Sequence, residues 1–451
     1  MADQVAIIGG GLAGVTAALF AFKQGARPVL VKKGGGATSF SSGGLDLAVD
    51  PYPPPQRPDK VETRSRKNLA RYVLNMPQHP YLTLVGKRDE DESENIMQML
   101  KAACEEVFPE GSELELEGDV ELARPLFTSL GTVKYTNLFP ARTAGPESPG
   151  LAKPLVAGVR GLVDFDPWSA GQVAAENAQR MGVSINPSIA WIAFGEQERQ
   201  TPALAAAIEQ DPAAFLEAVA ALDVTGAESL LLPPALPLAR RHSILKELEE
   251  RLSLPVYETL SLPPSVPGLR LSSYLAGLLR EKEIPVINGT VTGYRADTTG
   301  LTGLEIEPSS NPGDKAQQWA GPGKDGMLRL PVSSVVLAAG KFAAGGLAKK
   351  RSFREKIFDL PVAVNGEFCG ELFVEKVLGH HVSDSHLLFS AGVLTDRELR
   401  PLDPQGDPVY QNLYAAGGVL SGNDYMTQGT GAGVALASGL KAGENTAKRR
   451  D

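Results

Sequence analysis

Cysteine is scarce in this chain: its 451 residues include two cysteines, Cys104 and Cys369. The two lie far apart in the sequence and form no C-x-x-C pattern. The thiols of this chain therefore cannot build an iron–sulfur cluster or a zinc site, and we predict no metal site. If electrons leave through a metal centre, another protein chain must supply it.

Long apolar runs and an excess of positive charge are also missing. No stretch reaches the roughly 18 uninterrupted apolar residues that span a bilayer, and the chain enters its first strand without a charged, apolar and cleavable leader. The net charge of -9 argues against nucleic acid or an anionic membrane surface as a general partner. We therefore expect a soluble, cytoplasmic protein, in which 43% apolar residues fill the cores of two or three domains.

A predicted βαβ unit opens the chain. Apolar residues 5–8 predict a buried strand, residues 15–22 a packed helix and residues 29–31 a second strand. Between the first strand and the helix lies G-x-G-x-x-G, which in this context indicates dinucleotide or flavin binding rather than a plain structural turn. The glycines would permit the tight turn, the approach of a pyrophosphate and the packing of the helix, whose amides and dipole attract phosphate. The predicted cofactor contacts here are Gly9, Gly10, Gly11, Leu12, Ala13 and Gly14.

One residue of the usual dinucleotide pattern is absent. The second strand of such a unit commonly ends in an acidic side chain that binds the adenosine ribose hydroxyls. This chain has Lys32 and Lys33 at that place, and a pair of cations suits phosphate better than a ribose diol. Either the adenosine half of the cofactor is held differently, or the cofactor lacks it, as FMN does.

Further glycine-rich segments follow three predicted strands. The loop at residues 34–47 is too poor in large apolar side chains to pack a core, so we expect ligand contact rather than a flexible surface loop. Strands near 335–338 and 412–416 also end in small residues, and a helix after the second could stabilise negative charge on a reduced isoalloxazine. Besides Lys32 and Lys33, the predicted cofactor contacts are Ser41, Ser42, Gly43, Gly44, Leu45, Ala339, Gly340, Gly417, Gly418, Gly431, Ala432, Gly433 and Val434.

The middle of the chain predicts a mixed α/β region. Strands near 155–160, 230–233 and 256–260 alternate with helices near 169–181 and 243–251. A Pro-rich stretch at 51–55 indicates a boundary. We predict a cofactor-binding domain in two parts, residues 1–75 and 262–451, with residues 76–261 inserted as a cap or substrate-side domain. Within the second part, residues 285–294 predict two short strands, and a helix is expected from about Leu271.

Over most of its length the chain resembles the family formed by the B subunits of anaerobic glycerol-3-phosphate dehydrogenase. The matching segments are 8–14, 40–47, 161–165, 262–271, 336–342, 392–396 and 412–422. Many flavoproteins share the first, whereas Leu-Pro-Pro-Ser at 262–265 together with Phe-Ser-Ser-Gly at 40–43 is much more particular. The resemblance implies a Rossmann-like α/β flavoprotein of the fumarate-reductase-like (GR2) class with an inserted mixed α/β cap domain.

The resemblance also implies a reaction and partners. Glycerol 3-phosphate would be oxidised to dihydroxyacetone phosphate, with electrons passing through flavin to quinone. The family works beside a catalytic flavoprotein subunit and a membrane-associated iron–sulfur subunit, which would hold the chain at the inner face of the cytoplasmic membrane. The family is usually described with FMN, whereas the fold class normally binds FAD.

The substrate side departs from that of self-sufficient fumarate-reductase relatives. They carry a glutamate after Ala-Ala-Gly, where this chain has Gly418, and a set of His and Arg residues. Among five histidines, His386 is the best candidate acid or base because it lies between two predicted flavin segments. Arg270, Arg397 and Arg400 are candidates for binding the substrate phosphate; alternatively, Arg270 extends to water from its place near a helix start.

Two other functions stay open. The chain could be a stand-alone fumarate or succinate type of flavin oxidoreductase, which would need a complete acid/base set. It could also be a degenerate flavoprotein kept as a scaffold subunit.

Overall fold

A computed structural model of the chain describes residues 4–49, 63–64, 69, 72–73, 75–87, 91–195, 197–309, 316–323, 326–349, 351–370, 377–381, 384 and 386–448. Within these ranges no helix has the length and apolar character needed to cross a membrane. The Pro-rich stretch at 51–55, which we predict to be a boundary, lies outside the described residues.

The strands form one large sheet, one smaller sheet and several short pairings. Their bounds are β1 Gln4–Ile8, β2 Arg27–Lys32, β3 Thr63–Arg64, β4 Leu116–Gly118, β5 Leu122–Phe127, β6 Val133–Thr136, β7 Leu138–Pro140, β8 Pro154–Val159, β9 Ser188–Ile192, β10 Ser229–Leu232, β11 Val256–Glu258, β12 Val286–Asp297, β13 Gly300–Pro308, β14 Gly321–Pro322, β15 Leu328–Pro331, β16 Ser334–Leu337, β17 Leu347–Lys349, β18 Phe353–Glu355, β19 Ala363–Val364, β20 Glu367–Phe368 and β21 Leu413–Ala415.

Helices connect and cover the sheets. Their bounds are α1 Leu12–Lys23, α2 Pro80–Val85, α3 Asp91–Val107, α4 Pro167–Arg180, α5 Thr201–Gln210, α6 Pro212–Ala220, α7 Arg241–Leu252, α8 Val266–Glu281, α9 Ala316–Trp319 and α10 Gly431–Asn445. Helices α1 and α10 pack side by side, with the small residues Gly439 and Gly443 facing Ala13 and Ala17.

The larger sheet has eight strands in the order β14-β15-β13-β12-β2-β1-β16-β21. The neighbours from β12 to β21 run parallel, and β13, β15 and β14 continue the sheet as antiparallel strands. Strands β1, β2 and β16 are almost entirely buried, as unbroken apolar runs predict for parallel strands covered on both faces. The predicted βαβ unit at the start of the chain is therefore present.

A second hydrophobic core surrounds the smaller sheet. Its four parallel strands, β11-β10-β8-β9, all lie within residues 154–258. Phe127, Phe215 and Tyr257 belong to this core, whereas Ile96 and Met97 of α3 belong to the core of the larger sheet. The eight-stranded sheet with its core is termed the first lobe, and the four-stranded sheet with its core the second lobe. The α/β class and the mixed α/β insertion are as predicted, and the boundaries at 75 and 261 stay predictions.

Two local predictions were wrong. Residues 285–294 do not form two short strands, because β12 runs unbroken from Val286 to Asp297 and pairs with β13, with register shifts between Val291 and Gly293 and between Arg295 and Ala296. Helix α8 begins at Val266, since Ser265 caps it: the Ser265 hydroxyl accepts a hydrogen bond of 2.9 Å from the Gly268 amide.

Candidate cofactor site

The carboxyl ends of four parallel strands meet at one edge of the larger sheet. Strands β2, β1, β16 and β21 are neighbours in that order, so the residues that follow them share this edge. The chain leaves β1 toward β2, while β16 lies on the other side of β1. Such a switch point is where open α/β sheets bind ligands. The edge carries residues 9–14, 338–340 and 416–418 and is termed the glycine edge.

The turn after β1 has the predicted shape. Gly9 has a φ of 126°, and its amide donates a hydrogen bond of 2.9 Å to Val31 O. A Cβ at Gly14 would lie 2.0 Å from Gly9 O, so α1 can pack onto the turn only with glycine there. At Gly11, by contrast, an added Cβ would have one atom of the described residues within 4 Å. That atom is Thr38 Oγ1, at 3.1 Å. This open side of the turn is where a cofactor phosphate can approach.

Thr38 supplies a hydroxyl at the N-terminus of α1. Its Oγ1 accepts a hydrogen bond of 3.0 Å from the Leu12 amide, and it lies on a 3-10 turn formed by Gly36–Phe40. The cap residue Gly11 has no side chain that could do this. The sequence analysis missed Thr38, although threonine is a residue type that commonly satisfies helix N-terminal amides.

Only part of the loop at 41–45 is open to a ligand. Gly43, Gly44 and Leu45 are buried, whereas Ser41 and Ser42 are partly exposed. Lys134 of β6 reaches this loop: its ammonium donates to Ser42 Oγ at 3.1 Å and to both carboxylate oxygens of Asp46 at 2.8 Å. No pattern in the sequence marks Lys134.

Backbone amides in the first turn of α10 already have hydrogen-bond partners within the chain. The amides of Ala432 and Gly433 donate to Asp46 O at 3.1 and 3.0 Å, and Val434 is fully buried. These amides are therefore not open donors, contrary to the prediction that they face a ligand, because the loop before β3 packs against them. Gly431 stays partly exposed. Gly417 packs against Ala13 instead.

A buried lysine follows the strand end at Ala339 and Gly340, both of which are partly exposed. The Lys341 ammonium donates to Phe389 O at 2.5 Å and to Asn423 O at 2.7 Å, so it ties two later loops to this strand end. Burial lowers the pKa of Lys341 to about 7. Gly418 lies beside the same turn: a Cβ added at Gly418 would be 3.7 Å from Gly340 Cα.

The polar atoms left open fit a flavin nucleotide. Ser41 Oγ and Asn423 Oδ1 are buried and have no hydrogen-bond partner among the described residues. Each lies on a loop that adjoins the glycine edge, and a buried polar group without a partner costs about 1–3 kcal/mol. A ligand with an apolar ring system, polar ring edges and a phosphate tail would satisfy both the serine and amide groups and the open turn at Gly11.

His386 adjoins this region. Its Nδ1 accepts a hydrogen bond of 2.9 Å from the Gly379 amide, and its ring packs edge-to-face on Phe389, the residue whose carbonyl binds Lys341. No group of three or more His, Cys, Asp or Glu residues among those described is placed to hold a metal ion. The acid/base role of His386 stays a prediction.

Arg270 neither reaches water nor faces a substrate. It is 3% exposed, and its Nη1 lies 2.7 Å from Glu258 Oε2, which also pairs with Arg241 at 2.6 Å. Burial opposes the ionisation of Glu258, but the two guanidinium groups hold its pKa below the ordinary value. The predicted availability of Arg270 to a substrate phosphate is therefore corrected: it is a structural cation that joins α8 to the second lobe.

The guanidinium groups of Arg397 and Arg400 bind other groups of this chain. Arg397 donates to Val85 O at 2.6 Å, and Arg400 pairs with Asp396 at 2.7 Å. Their loop contacts the last residue of α10, since Asn445 donates to Glu398 O at 2.9 Å. The backbone of the same loop adjoins the glycine edge, because the Ala415 amide donates to Leu399 O at 2.8 Å. The two guanidinium groups are nevertheless engaged with Val85 O and Asp396, so their predicted binding of a substrate phosphate stays a prediction.

A parallel sheet with a glycine-lined switch point is typical of nucleotide-binding α/β proteins, and a family match narrows this class to flavoproteins. Residues 4–434 match the family model described as "FAD binding domain". Among solved structures, the chain is similar to a flavocytochrome c3 fumarate reductase, with 12% identity, a TM-score of 0.43 and coverage of 99% of this chain and 78% of the other. It is also similar to 3-ketosteroid delta1-dehydrogenase from Sterolibacterium denitrificans, with 12% identity, a TM-score of 0.44 and 99% coverage of each chain.

Relatives with higher sequence identity share one name. The B subunit of anaerobic glycerol-3-phosphate dehydrogenase from Pectobacterium carotovorum subsp. carotovorum (strain PC1) is 30% identical over 464 residues, which cover 99% of each chain. The B subunit of the same enzyme from Actinobacillus pleuropneumoniae serotype 5b (strain L20) is 27% identical over 460 residues, with 98% coverage of each. This chain belongs to the anaerobic glycerol-3-phosphate dehydrogenase B subunit family, within the FAD-binding flavoprotein oxidoreductases. The resemblance seen in the sequence is confirmed, and FAD is the flavin that the family match supports; FMN gains no support from it.

Proposed function

We propose that this chain is the FAD-binding B subunit of a glycerol-3-phosphate dehydrogenase that oxidises glycerol 3-phosphate to dihydroxyacetone phosphate and delivers the electrons to quinone. The observation that carries the proposal is the full-length match to B subunit relatives in a chain whose predicted flavin segments share one sheet edge. FAD is preferred to FMN because the matching family model is an FAD binding domain.

Named residues would hold the cofactor. The Thr38 hydroxyl and the open turn at Gly11 suit the pyrophosphate, while Ser41 and Asn423 offer to the ring system atoms that lack a partner among the described residues. When bound, FAD supplies an acceptor for the two electrons removed from a C–OH group. The chain's own part is to hold this acceptor at the glycine edge.

The placement of the arginines favours a particular position in the complex. Arg270 is buried in an ion pair, and the guanidinium groups of Arg397 and Arg400 bind Val85 O and Asp396, so all three predicted phosphate ligands are engaged within this chain. We therefore favour an electron-transfer role for this chain, with glycerol 3-phosphate oxidised at a partner flavoprotein. The scaffold alternative rests on the same observation and differs by predicting no bound flavin.

The remaining electron path requires partners. With two cysteines that belong to no cluster pattern, the chain needs an iron–sulfur protein to pass electrons on to quinone. That partner would also hold the chain at the inner face of the cytoplasmic membrane. The relatives are named as one subunit of an enzyme, which agrees with such an assembly.

The test is a matched pair of valine substitutions in the complex co-expressed with its partner subunits. Gly11 has a φ of −82° and a ψ of 179°, an extended backbone that valine adopts, and among the described residues an added Cβ there meets only the Thr38 hydroxyl. Gly34 serves as the control, Gly34→Val, because no described atom lies within 4 Å of a Cβ added there. Flavin is released by acid and identified by chromatography and mass, and glycerol-3-phosphate-dependent quinone reduction is measured.

We expect FAD in the wild-type chain and in Gly34→Val, and loss of both FAD and quinone reduction in Gly11→Val with the complex still assembled. A wild-type chain without flavin in an active complex would support the scaffold alternative. A flavin-loaded complex that fails to oxidise glycerol 3-phosphate would refute the proposed reaction.

A further inference from the structure

Lys32 ends β2 at the place where dinucleotide-binding folds usually carry an acidic residue. It is partly buried, whereas the next residue, Lys33, is exposed. The stem of Lys32 crosses the glycine turn: a Cβ added at Gly10 would lie 2.7 Å from Lys32 Cδ. Since the ammonium is two bonds beyond Cδ, it can reach a group bound on the amides of Gly10 and Gly11.

A second cation stands near the first. Arg280 lies in the last turn of α8, close enough that its charge adds to burial in lowering the pKa of Lys32. Among the described residues, no carboxylate forms an ion pair with Lys32 or Arg280. An anion bound on the turn would stabilise the partly buried Lys32 ammonium.

The same turn carries donors suited to phosphate. The Thr38 hydroxyl accepts the Leu12 amide and can donate its own hydrogen, and it lies with the positive end of the α1 dipole on the side of the turn that is open at Gly11. Ribose hydroxyls would need a hydrogen-bond acceptor, and the strand end that usually provides one carries Lys32, whose ammonium can only donate.

We infer that Lys32 is the ion partner of the cofactor's pyrophosphate, so that the cofactor tail is recognised through its phosphate charge instead of its ribose hydroxyls. The inference rests on the proposed function for the identity of the cofactor, and it names the residue that selects it. Binding of the tail is then strongly dependent on salt, because ion pairs at a partly exposed site are screened.

The test compares binding of FAD, ADP and riboflavin to the full chain stripped of flavin. ADP carries the pyrophosphate without the ring system, and riboflavin carries the ring system without phosphate. FAD and riboflavin are followed by flavin fluorescence, ADP by calorimetry, each at low and high salt. The variants are Lys32→Glu, Lys32→Met, which keeps the stem over Gly10, and Lys33→Glu, which makes the same charge change one residue further on. Circular dichroism checks that each variant is folded.

We expect Lys32→Glu to weaken FAD and ADP binding about tenfold or more, the loss of one charge-assisted contact. Lys32→Met should weaken both less and reduce their salt dependence, Lys33→Glu should have a smaller effect than Lys32→Glu, and riboflavin affinity should not change. Unchanged or tighter FAD binding in Lys32→Glu would overturn the inference, since tighter binding is what a carboxylate on ribose produces. A wild-type chain that binds ADP but not FAD would refute the proposed function while keeping this anion subsite.

Discussion

Lys134 of β6 donates to both carboxylate oxygens of Asp46, in the loop that adjoins the glycine edge, at 2.8 Å. The two side chains are 31% and 23% exposed. The main-chain carbonyl of the same Asp46 accepts the amides of Ala432 and Gly433. One residue thus connects the antiparallel strand β6, the cofactor loop and the first turn of α10.

A double-mutant cycle should detect this connection. We expect Lys134→Met and Asp46→Asn each to lower the free energy of unfolding, with a coupling of about 0.5–1 kcal/mol, because the pair is partly shielded from water. Urea unfolding of the wild type, both single variants and the double variant gives the coupling directly. Additive effects would mean that the contact contributes nothing to stability.

The ion pair of Arg270 should matter far more for stability than that of Arg400. Arg270→Met leaves Glu258 with one cation fewer in a site that is almost fully buried, so we expect a loss of about 3–5 kcal/mol. Arg400→Met breaks a partly exposed pair with Asp396 and should cost about 1 kcal/mol or less. Denaturant midpoints measured in parallel make the comparison, and equal losses would contradict the assignment of Arg270 as a structural cation.

Because of Glu355, we expect part of the free energy of unfolding to fall as the pH rises. Glu355 is fully buried and accepts the amides of Ile357 and Phe358 at 2.9 and 2.7 Å, and burial raises its pKa to about 7. The folded chain therefore holds a proton that the unfolded chain releases above its ordinary value of 4.5. The contribution is fully present below pH 4.5 and is lost as the pH approaches 7. Glu355→Gln should abolish this part of the pH dependence, and thermal unfolding from pH 4.5 to 8 (~0.5-unit steps) against wild type measures it.

Because of Lys341, we expect the free energy of unfolding to rise with pH, in a higher pH range than that of Glu355. The pKa of Lys341 is lowered from 10.5 to about 7 by burial, so between these values the unfolded chain binds a proton that the folded chain does not. Stability therefore rises with pH from about 7 to 10.5. Lys341→Met should lack this rise, and the difference between the wild-type and variant unfolding curves isolates it. A difference that stays constant across the window would show that Lys341 remains charged in the folded chain.

The parts predicted correctly from the sequence are those determined by neighbouring residues. The turn at Gly9 and Gly14, the helix α1 and the buried strands follow from local patterns, and so does the αβ alternation of the second lobe. Strand β12 was misread because its glycines resemble a break, whereas pairing with β13 over its length keeps it extended.

The parts that could not be predicted depend on contacts between distant segments. Lys134 is 88 residues from Asp46, and nothing near it in sequence marks its role. The charge of Arg270 suggested that it binds a substrate anion. Its actual partner is Glu258, which becomes visible only when α8 and β11 are placed in the fold. The amides of Ala432 and Gly433 were expected to be open, yet a loop from the start of the chain occupies them.

The contact between α1 and α10 joins the beginning of the chain to a late segment, so the first lobe can complete its folding only late in synthesis. Strands β1 and β2 and helix α1 between them leave the ribosome before β16, which follows β2 by about 300 residues. Strand β21 and helix α10 come later still. At about 5–20 residues per second, that interval is about 15 s to a minute. The second lobe, whose sheet lies within residues 154–258, can fold during this time. Helix α1 can meet α3 and α8 earlier, but its contact with α10 forms only after Gly431–Asn445 has left the ribosome.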